Sequence, residues 1–237
     1  MTRRPFPSWL EPVREGAATI SADDLSRFVP PHDHSGRRGA VLMLFGEGPD
    51  GPDLLLTERS RTMRSHPGQV SFPGGGIDPG EDPRAAALRE GWEETGLNPD
   101  GVEIFGDLPE LWLPPSNYAV VPVMGWWAEE SPVTTHSVEE VHAIHRVTIK
   151  DLVEPTHRIS VRAPSGWMGP GFLIGENRDV ILWGFTAGVI TRLFDHIGWT
   201  QEWDTTVVRE LPDYMLVGSP PGPRPQPNTN FKERPGR

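Results

Sequence analysis

The stretch from Asp82 to Gly96 leaves the backbone little choice. Asp82 is a good helix N-cap, Pro83 suits the first helical position, and Gly96 suits the residue just past the last turn. Helix formers fill the interval, so the spacing predicts a helix over residues 83–95. On that helix Glu90, Glu93 and Glu94 fall at i, i+3 and i+4, which puts three carboxylates on one face. In water such like-charge pairs disfavour the helix by roughly 0.2–0.5 kcal/mol each. A hard divalent cation such as Mg²⁺ or Mn²⁺ reverses the sign, because it seeks clustered oxygen ligands. Taken without context, a Glu-rich helix is an ordinary solvated face.

The flanking residues supply the context. Glu81 precedes the helix and Arg89 lies within it, an acid–base pair able to hold the incoming loop against the helix. Gly74-Gly75-Gly76 leads into that loop, and glycine lets backbone carbonyls come close to a metal. These glycines form no dinucleotide fingerprint, since Pro79 stands where a third glycine is needed, and no Gly-Lys-Ser/Thr follows for a phosphate loop. The net charge of the chain, −11, is concentrated here. Residues 78–110 hold ten acids against Arg84 and Arg89, a local −8, while residues 55–74 carry Arg59, Arg61 and Arg64 against Glu58, a local +2. An acidic chain of this kind is a poor non-specific binder of nucleic acid or anionic membrane.

Taken as one string, a glycine at 75, five residues, Glu81, seven residues and then Arg89-Glu90-Gly91-Trp92-Glu93-Glu94-Thr95-Gly96-Leu97 resembles the Nudix box of the Nudix hydrolases. One position departs: Gly91 stands where the family usually has an apolar side chain, which suggests close helix–sheet packing. The resemblance implies an α/β/α sandwich with a mixed β-sheet. It implies hydrolysis of a nucleoside diphosphate linked to another moiety. It implies Mg²⁺ or Mn²⁺ held mainly by Glu90 and Glu94, with Glu93 and the Gly75 backbone close by. Bound cations neutralise the diphosphate and activate water, and a carboxylate takes the proton. Val138-Glu139-Glu140-Val141 resembles the segment where many Nudix enzymes place a further glutamate, with Glu140 preferred over Glu139.

Upstream, Leu55-Leu56-Thr57-Glu58-Arg59-Ser60, three residues, Arg64, three residues, Gly68, three residues and Phe72-Pro73-Gly74-Gly75 resembles the motif of coenzyme A pyrophosphatases. This implies coenzyme A or acyl-CoA as substrate, giving 3′,5′-ADP and (acyl-)4′-phosphopantetheine. Arg59 and Arg64 are expected to hold phosphate oxygens bidentately, and Arg61 to lie at the surface. His66 is as well placed for a turn before Pro67 as for a phosphate. Residues 115–123 and 183–187 also look like segments of this subfamily. Tyr118 and the Pro114-Pro115 loop are expected near the substrate mouth, with structural packing as the equal alternative. Two other readings stay open: a Nudix pyrophosphohydrolase acting on ADP-ribose or another nucleoside diphosphate derivative, and a non-catalytic nucleotide-binding module.

The remaining sequence sets the frame. Residues 1–35 read as an N-terminal helical extension with Ser8 and Ser21 as caps, residues 36–217 as the Nudix domain, and residues 218–237 as a Pro/Gly-rich disordered tail. Strands are expected at 38–45, 53–57, 69–72, 102–105, 119–127 and 142–149, with a hairpin at 172–174 and 180–183 and a second long helix at 186–197. Such irregular alternation suits a mixed sheet flanked by helices. Trp92 and Trp126 are expected in the core. His142 and His145, three apart on a strand, point to opposite faces and so away from a zinc site. The chain has no cysteine, which excludes disulfides and thiolate sites, and no apolar run long enough to cross a membrane. A cytoplasmic monomer or homodimer with a small nucleotide substrate is expected.

Overall fold

The longest apolar run becomes the longest strand. β1 (Arg37–Gly48) is buried over most of its length, as befits a central strand covered on both faces. It turns through Pro49 and Asp50 into the antiparallel β2 (Gly51–Arg59) and lies parallel to β7 (Tyr118–Trp127). Around these three are β3 (Val70–Ser71), β4 (Gly74–Gly76), β5 (Val102–Asp107), β6 (Leu111–Leu113) and β8 (Val141–Thr148). The path β3-β2-β1-β7-β5 forms the spine, with β4 on β1, β6 on β7 and β8 on β2. The computed structural model describes residues 3–28, 30, 36–63, 66–113, 117–137, 139–164 and 166–216.

Alternation along β1 divides the interior in two. Leu42 and Leu44 face α3 (Pro83–Thr95), packing with Ala86, Ala87, Leu55 and Leu97. Met43 and Phe45 face the other way, onto α5 (Gly184–His196) through Ala187, Val189, Ile190 and Leu193. The sheet is thus sandwiched between helices, an α/β/α arrangement with mixed strand directions. A second, four-stranded sheet runs β11-β10-β9-β12, from β9 (Arg158–Arg162), β10 (Met168–Ile174), β11 (Val180–Leu182) and β12 (Val208–Glu210). β10 and β11 are the expected hairpin, with Phe172 opposite Leu182. Both β12, which joins β9 in parallel, and the short α4 (Ile149–Val153) escape the sequence pattern.

The N-terminal segment shares the main core. After a 3₁₀ turn at Ser8–Leu10 come α1 (Glu11–Thr19) and α2 (Ala22–Leu25). Leu10, Val13, Ile20 and Leu25 pack in the same cluster as Met43 and Phe45. Trp9 meets the Trp126 ring edge-on at 6.1 Å, and Arg4 donates to Glu130 at 2.6 Å. Ser21 caps α2 in a reciprocal box with Asp24. Ser8, expected as a cap, is not one: it lies inside the 3₁₀ turn, α1 begins at Glu11, and Pro12 occupies its first turn. The break at 31–34 and the tail from 218 lie outside the described residues.

Candidate active site

α3 begins and ends as its residues dictate. Asp82 accepts from Arg84 N at 2.9 Å and Ala85 N at 3.0 Å. Gly96 closes the helix at φ 67°, and its N–H bonds Trp92 O at 2.7 Å. The buried stripe is Ala86, Ala87, Gly91, Glu94 and Thr95. A Cβ on Gly91 would lie 3.0 Å from both Leu42 Cδ2 and Leu97 Cδ2, so the missing side chain lets the helix sit close on β1. Trp92, expected in the core, is instead 50% exposed. One residue on from Gly91, it is turned about 100° away from the sheet. Trp126 is fully buried, as expected.

Arg89 gathers the loop. Its Nε and Nη2 donate to the two Glu81 oxygens, each at 3.0 Å, and Nη2 also reaches Gly76 O at 2.8 Å. Its Nη1 bonds Glu90 Oε1 at 2.9 Å and Glu93 Oε2 at 3.3 Å. Glu81 in turn accepts from Asp78 N at 3.1 Å. The Arg89 bonds, with that amide, hold the Glu81 carboxyl below its usual range and push the guanidinium higher still. One side chain therefore ties α3, the glycine strand β4 and the connecting loop together.

Glu94 differs from its neighbours. It is only 8% exposed, and burial, reinforced by Glu90, pushes its pKa up to about 8. The Arg59 charge, the Gly74 N–H and the Thr57 hydroxyl, 3.4 Å from Oε2, oppose that rise without cancelling it. Glu90 is raised for the same reason, by burial first, with Glu93 and Glu140 adding repulsion against Arg89. Glu93 is open to solvent. A Cβ on Gly75 would fall on the Glu90 carboxylate, so another residue there would push that side chain aside.

The other predicted residues come from β2, β7 and β8. Arg59 ends β2 beside a β-bulge against β8, and its Nε is buried with no acceptor among the described residues. The exposed Glu140 is brought to the same place by its own backbone, since Ser60 N donates to Glu140 O at 2.7 Å. Tyr118 begins β7, its ring lying over Gly39 and its hydroxyl 3.2 Å from where a Gly76 Cβ would stand. Arg37 stacks on that ring at 4.9 Å. Tyr118 is therefore packed and beside the glycine strand at once. Arg64 and the Pro114-Pro115 loop lie outside the described residues. His66 is exposed at φ 52° in the turn.

Two contacts here are not evident from spacing alone. Thr57 reaches Glu94 because alternate residues of β2 face α3, a periodicity visible in the sequence but silent about the partner. Glu58, on the opposite face and 3% exposed, meets His145 Nε2 at 3.0 Å. Burial lifts Glu58, but the His145 bond and the charges of His145, His142 and Arg61 outweigh it and hold the carboxyl below its ordinary range.

The donor set suits a hard cation. Among the described residues no three acidic or histidine side chains already converge on one point. Glu90 and Glu93 are turned toward Arg89, and Glu94 toward Thr57 and Gly74. All the candidate ligands are oxygens, and two of the carboxyls are raised, by burial first and by neighbouring carboxylates second, a charge penalty that a divalent ion offsets. Glu90, Glu94 and Glu93 fit Mg²⁺ or Mn²⁺ by this chemistry.

The NUDIX domain family matches residues 36–165. Nudix hydrolase 3 of Caenorhabditis elegans is 35% identical over 147 residues, which cover 61% of this chain and 60% of that protein. An Enterobacter protein, Uncharacterized Nudix hydrolase NudL, is 35% identical over 193 residues, 76% of this chain and 96% of its own length. Arabidopsis thaliana Nudix hydrolase 15, mitochondrial, is 32% identical over 190 residues, 76% and 62% respectively. The chain spans about three fifths of the worm and plant relatives and nearly all of the bacterial one.

Proposed function

The chain belongs to the NUDIX domain family, and from that premise we propose that it hydrolyses the diphosphate bond of coenzyme A or an acyl-CoA. The observation that carries the reading is the cation beside the carboxylates. Arg59 sits close enough to lower Glu94, yet its buried Nε has no acceptor among the described residues. A phosphate oxygen completes that guanidinium while its partner oxygens face the glutamates.

Glu90, Glu94 and Glu93, with the Gly75 backbone, would hold a divalent metal. Bound there, the metal supplies charge neutralisation and lowers the pKa of water. The chain's residues do the rest. Arg59, joined by Arg64, orients the diphosphate. Arg89 and Glu81 keep the glycine strand and the helix in register, so that the carboxylates stay aimed. Glu140 accepts the proton as water oxygen bonds to phosphorus and the bridging P–O bond breaks, leaving 3′,5′-ADP and 4′-phosphopantetheine or its acyl form. Tyr118 borders the substrate mouth. The reaction needs no nucleic acid, membrane or second protein, and a cytoplasmic location with access to coenzyme A suits it. No helix of the described residues is long and apolar enough to cross a membrane.

The test is a substrate panel. Purified protein with Mg²⁺ or Mn²⁺ is offered coenzyme A, acyl-CoAs, NADH, ADP-ribose and 8-oxo-dGTP, and kcat/KM is compared. Coenzyme A or an acyl-CoA is expected to lead by at least tenfold. Preference for ADP-ribose or another nucleotide by that margin overturns the substrate assignment. Turnover of none of them favours a binding module.

A further inference from the structure

Far along the chain from α3, Arg158 opens β9 with a charge that the fold leaves uncompensated. The residue is 2% exposed. Its Nη2 donates to Thr191 Oγ1 on α5 at 3.1 Å, while its Nε is buried without an acceptor among the described residues. Its Cζ lies 4.9 Å from the ring centroids of both Phe172 and Trp203. Asp195 attracts it only from a distance, outside ion-pair range. Arginine does not shed its proton in a protein, so the charge stays. Buried charges are ordinarily paired, whereas this one has a single neutral acceptor and two aromatic rings.

Arg158 lines a cavity of about 590 Å³. Pro155, Trp203 and Val207 give the cavity apolar walls, and Glu202 and Asp204 are exposed residues of its lining. Asp204 is occupied, its Oδ1 taking Thr206 N at 2.9 Å and Thr206 Oγ1 at 2.6 Å. Glu202 makes no ion pair or hydrogen bond among the described residues. One cavity thus has a buried cation and an exposed anion, neither satisfied by the other. None of the proposed catalytic or substrate-contacting residues lines it.

We propose that this cavity binds a small zwitterion of the free amino acid class. The carboxylate accepts from the Arg158 guanidinium, the ammonium turns to Glu202, and the side chain lies against Trp203, Val207 and Pro155. A carboxylate matches the guanidinium edge. Inorganic phosphate or a nucleotide brings more negative charge toward Glu202 and Asp204 and is disfavoured. The site is independent of the diphosphate chemistry and stands whatever the substrate of α3 is.

Thermal unfolding of the full chain is scanned with each of the twenty common L-amino acids. The one giving the largest rise in Tm is taken to calorimetry beside its amide, which lacks the carboxylate, its desamino acid, which lacks the ammonium, and inorganic phosphate. Saturable binding at least tenfold tighter than all three is expected. Glu202→Gln, a surface change, should leave the Tm of the free protein unchanged and bring the amino acid down to the level of its desamino analogue. Arg158→Lys should remove binding. The proposal is overturned if no amino acid binds at millimolar concentration, if the amide or phosphate binds as well, or if Glu202→Gln has no effect.

Discussion

Glu94→Gln should strengthen the metal-free fold and weaken the enzyme in one step. Glu94 is nearly buried and ionises only near pH 8 in the folded chain, against 4.5 ordinarily. A carboxyl raised on folding contributes its stability fully below pH 4.5 and loses it as pH rises through about 8. Between 4.5 and 7 the unfolded chain gains about 1.4 kcal/mol per pH unit by ionising this group, and the folded chain gains little, a difference of about 3 kcal/mol at neutral pH. Glutamine has the shape of the protonated acid and escapes that loss. Its oxygen still accepts from Thr57 or Gly74, and a new N–H lacking an acceptor offsets about 1 kcal/mol. Urea unfolding in a chelator should therefore find the two proteins within about 1 kcal/mol at pH 5 and the variant ahead by about 2 kcal/mol at pH 7 and about 3 kcal/mol at pH 8. Mn²⁺ should raise the midpoint of the parent alone, and metal-dependent hydrolysis should disappear in the variant. Parallel pH profiles for the two proteins would refute the assignment of a raised, desolvated Glu94.

Further outcomes follow from the same contacts. Below about pH 8 metal binding must displace the Glu94 proton, so affinity measured by calorimetry should fall up to tenfold per pH unit, with proton release that depends on buffer. Arg59→Gln removes the charge that lowers Glu94 and the proposed phosphate donor; kcat/KM should fall roughly 10–100-fold, with the pH midpoint of activity moving up. Gly91→Leu forces atoms between Leu42 and Leu97 and should cost about 1–3 kcal/mol in urea unfolding, while Gly96→Ala, at φ 67° and against the His136 ring, should cost about 1–2 kcal/mol. Arg146→Met strands Asp53, bonded at 2.8 Å and 4% exposed, while Glu130 keeps Arg4; a loss of about 3 kcal/mol is expected, smaller at acid pH where the Asp53 carboxyl protonates.

The active-site helix was legible because its signals are local. Asp82, Pro83 and Gly96 set its bounds through backbone geometry that any environment preserves. The i, i+3, i+4 glutamates share a face for the same reason. The long strands β1, β2 and β7 were legible from apolar runs, within one to three residues at most ends. The second sheet was only half legible. Its β10–β11 hairpin is local, but β12 joins β9 across more than forty residues, and three-residue strands carry too little pattern to announce such a partner. Ser8 reads as a cap on composition, yet it is itself the first residue of the 3₁₀ turn leading into α1, whose N-cap is Leu10.

Sequence by itself determined which residues carry charge and which of them ride on one helix face. Tertiary structure decided what those charges experience. Glu93 and Glu94 are neighbours in the chain, yet one is open to water and the other is sealed under β2 and titrates near 8. Arg59 and Glu94, thirty-five residues apart, feel each other only because the fold brings the end of β2 beside the helix. Arg158 shows the same division, since nothing in its neighbours announces a buried, unpaired cation between two rings. The reason is physical: spacing is inherited from covalent geometry, whereas desolvation and charge coupling depend on what the folded chain packs against each group.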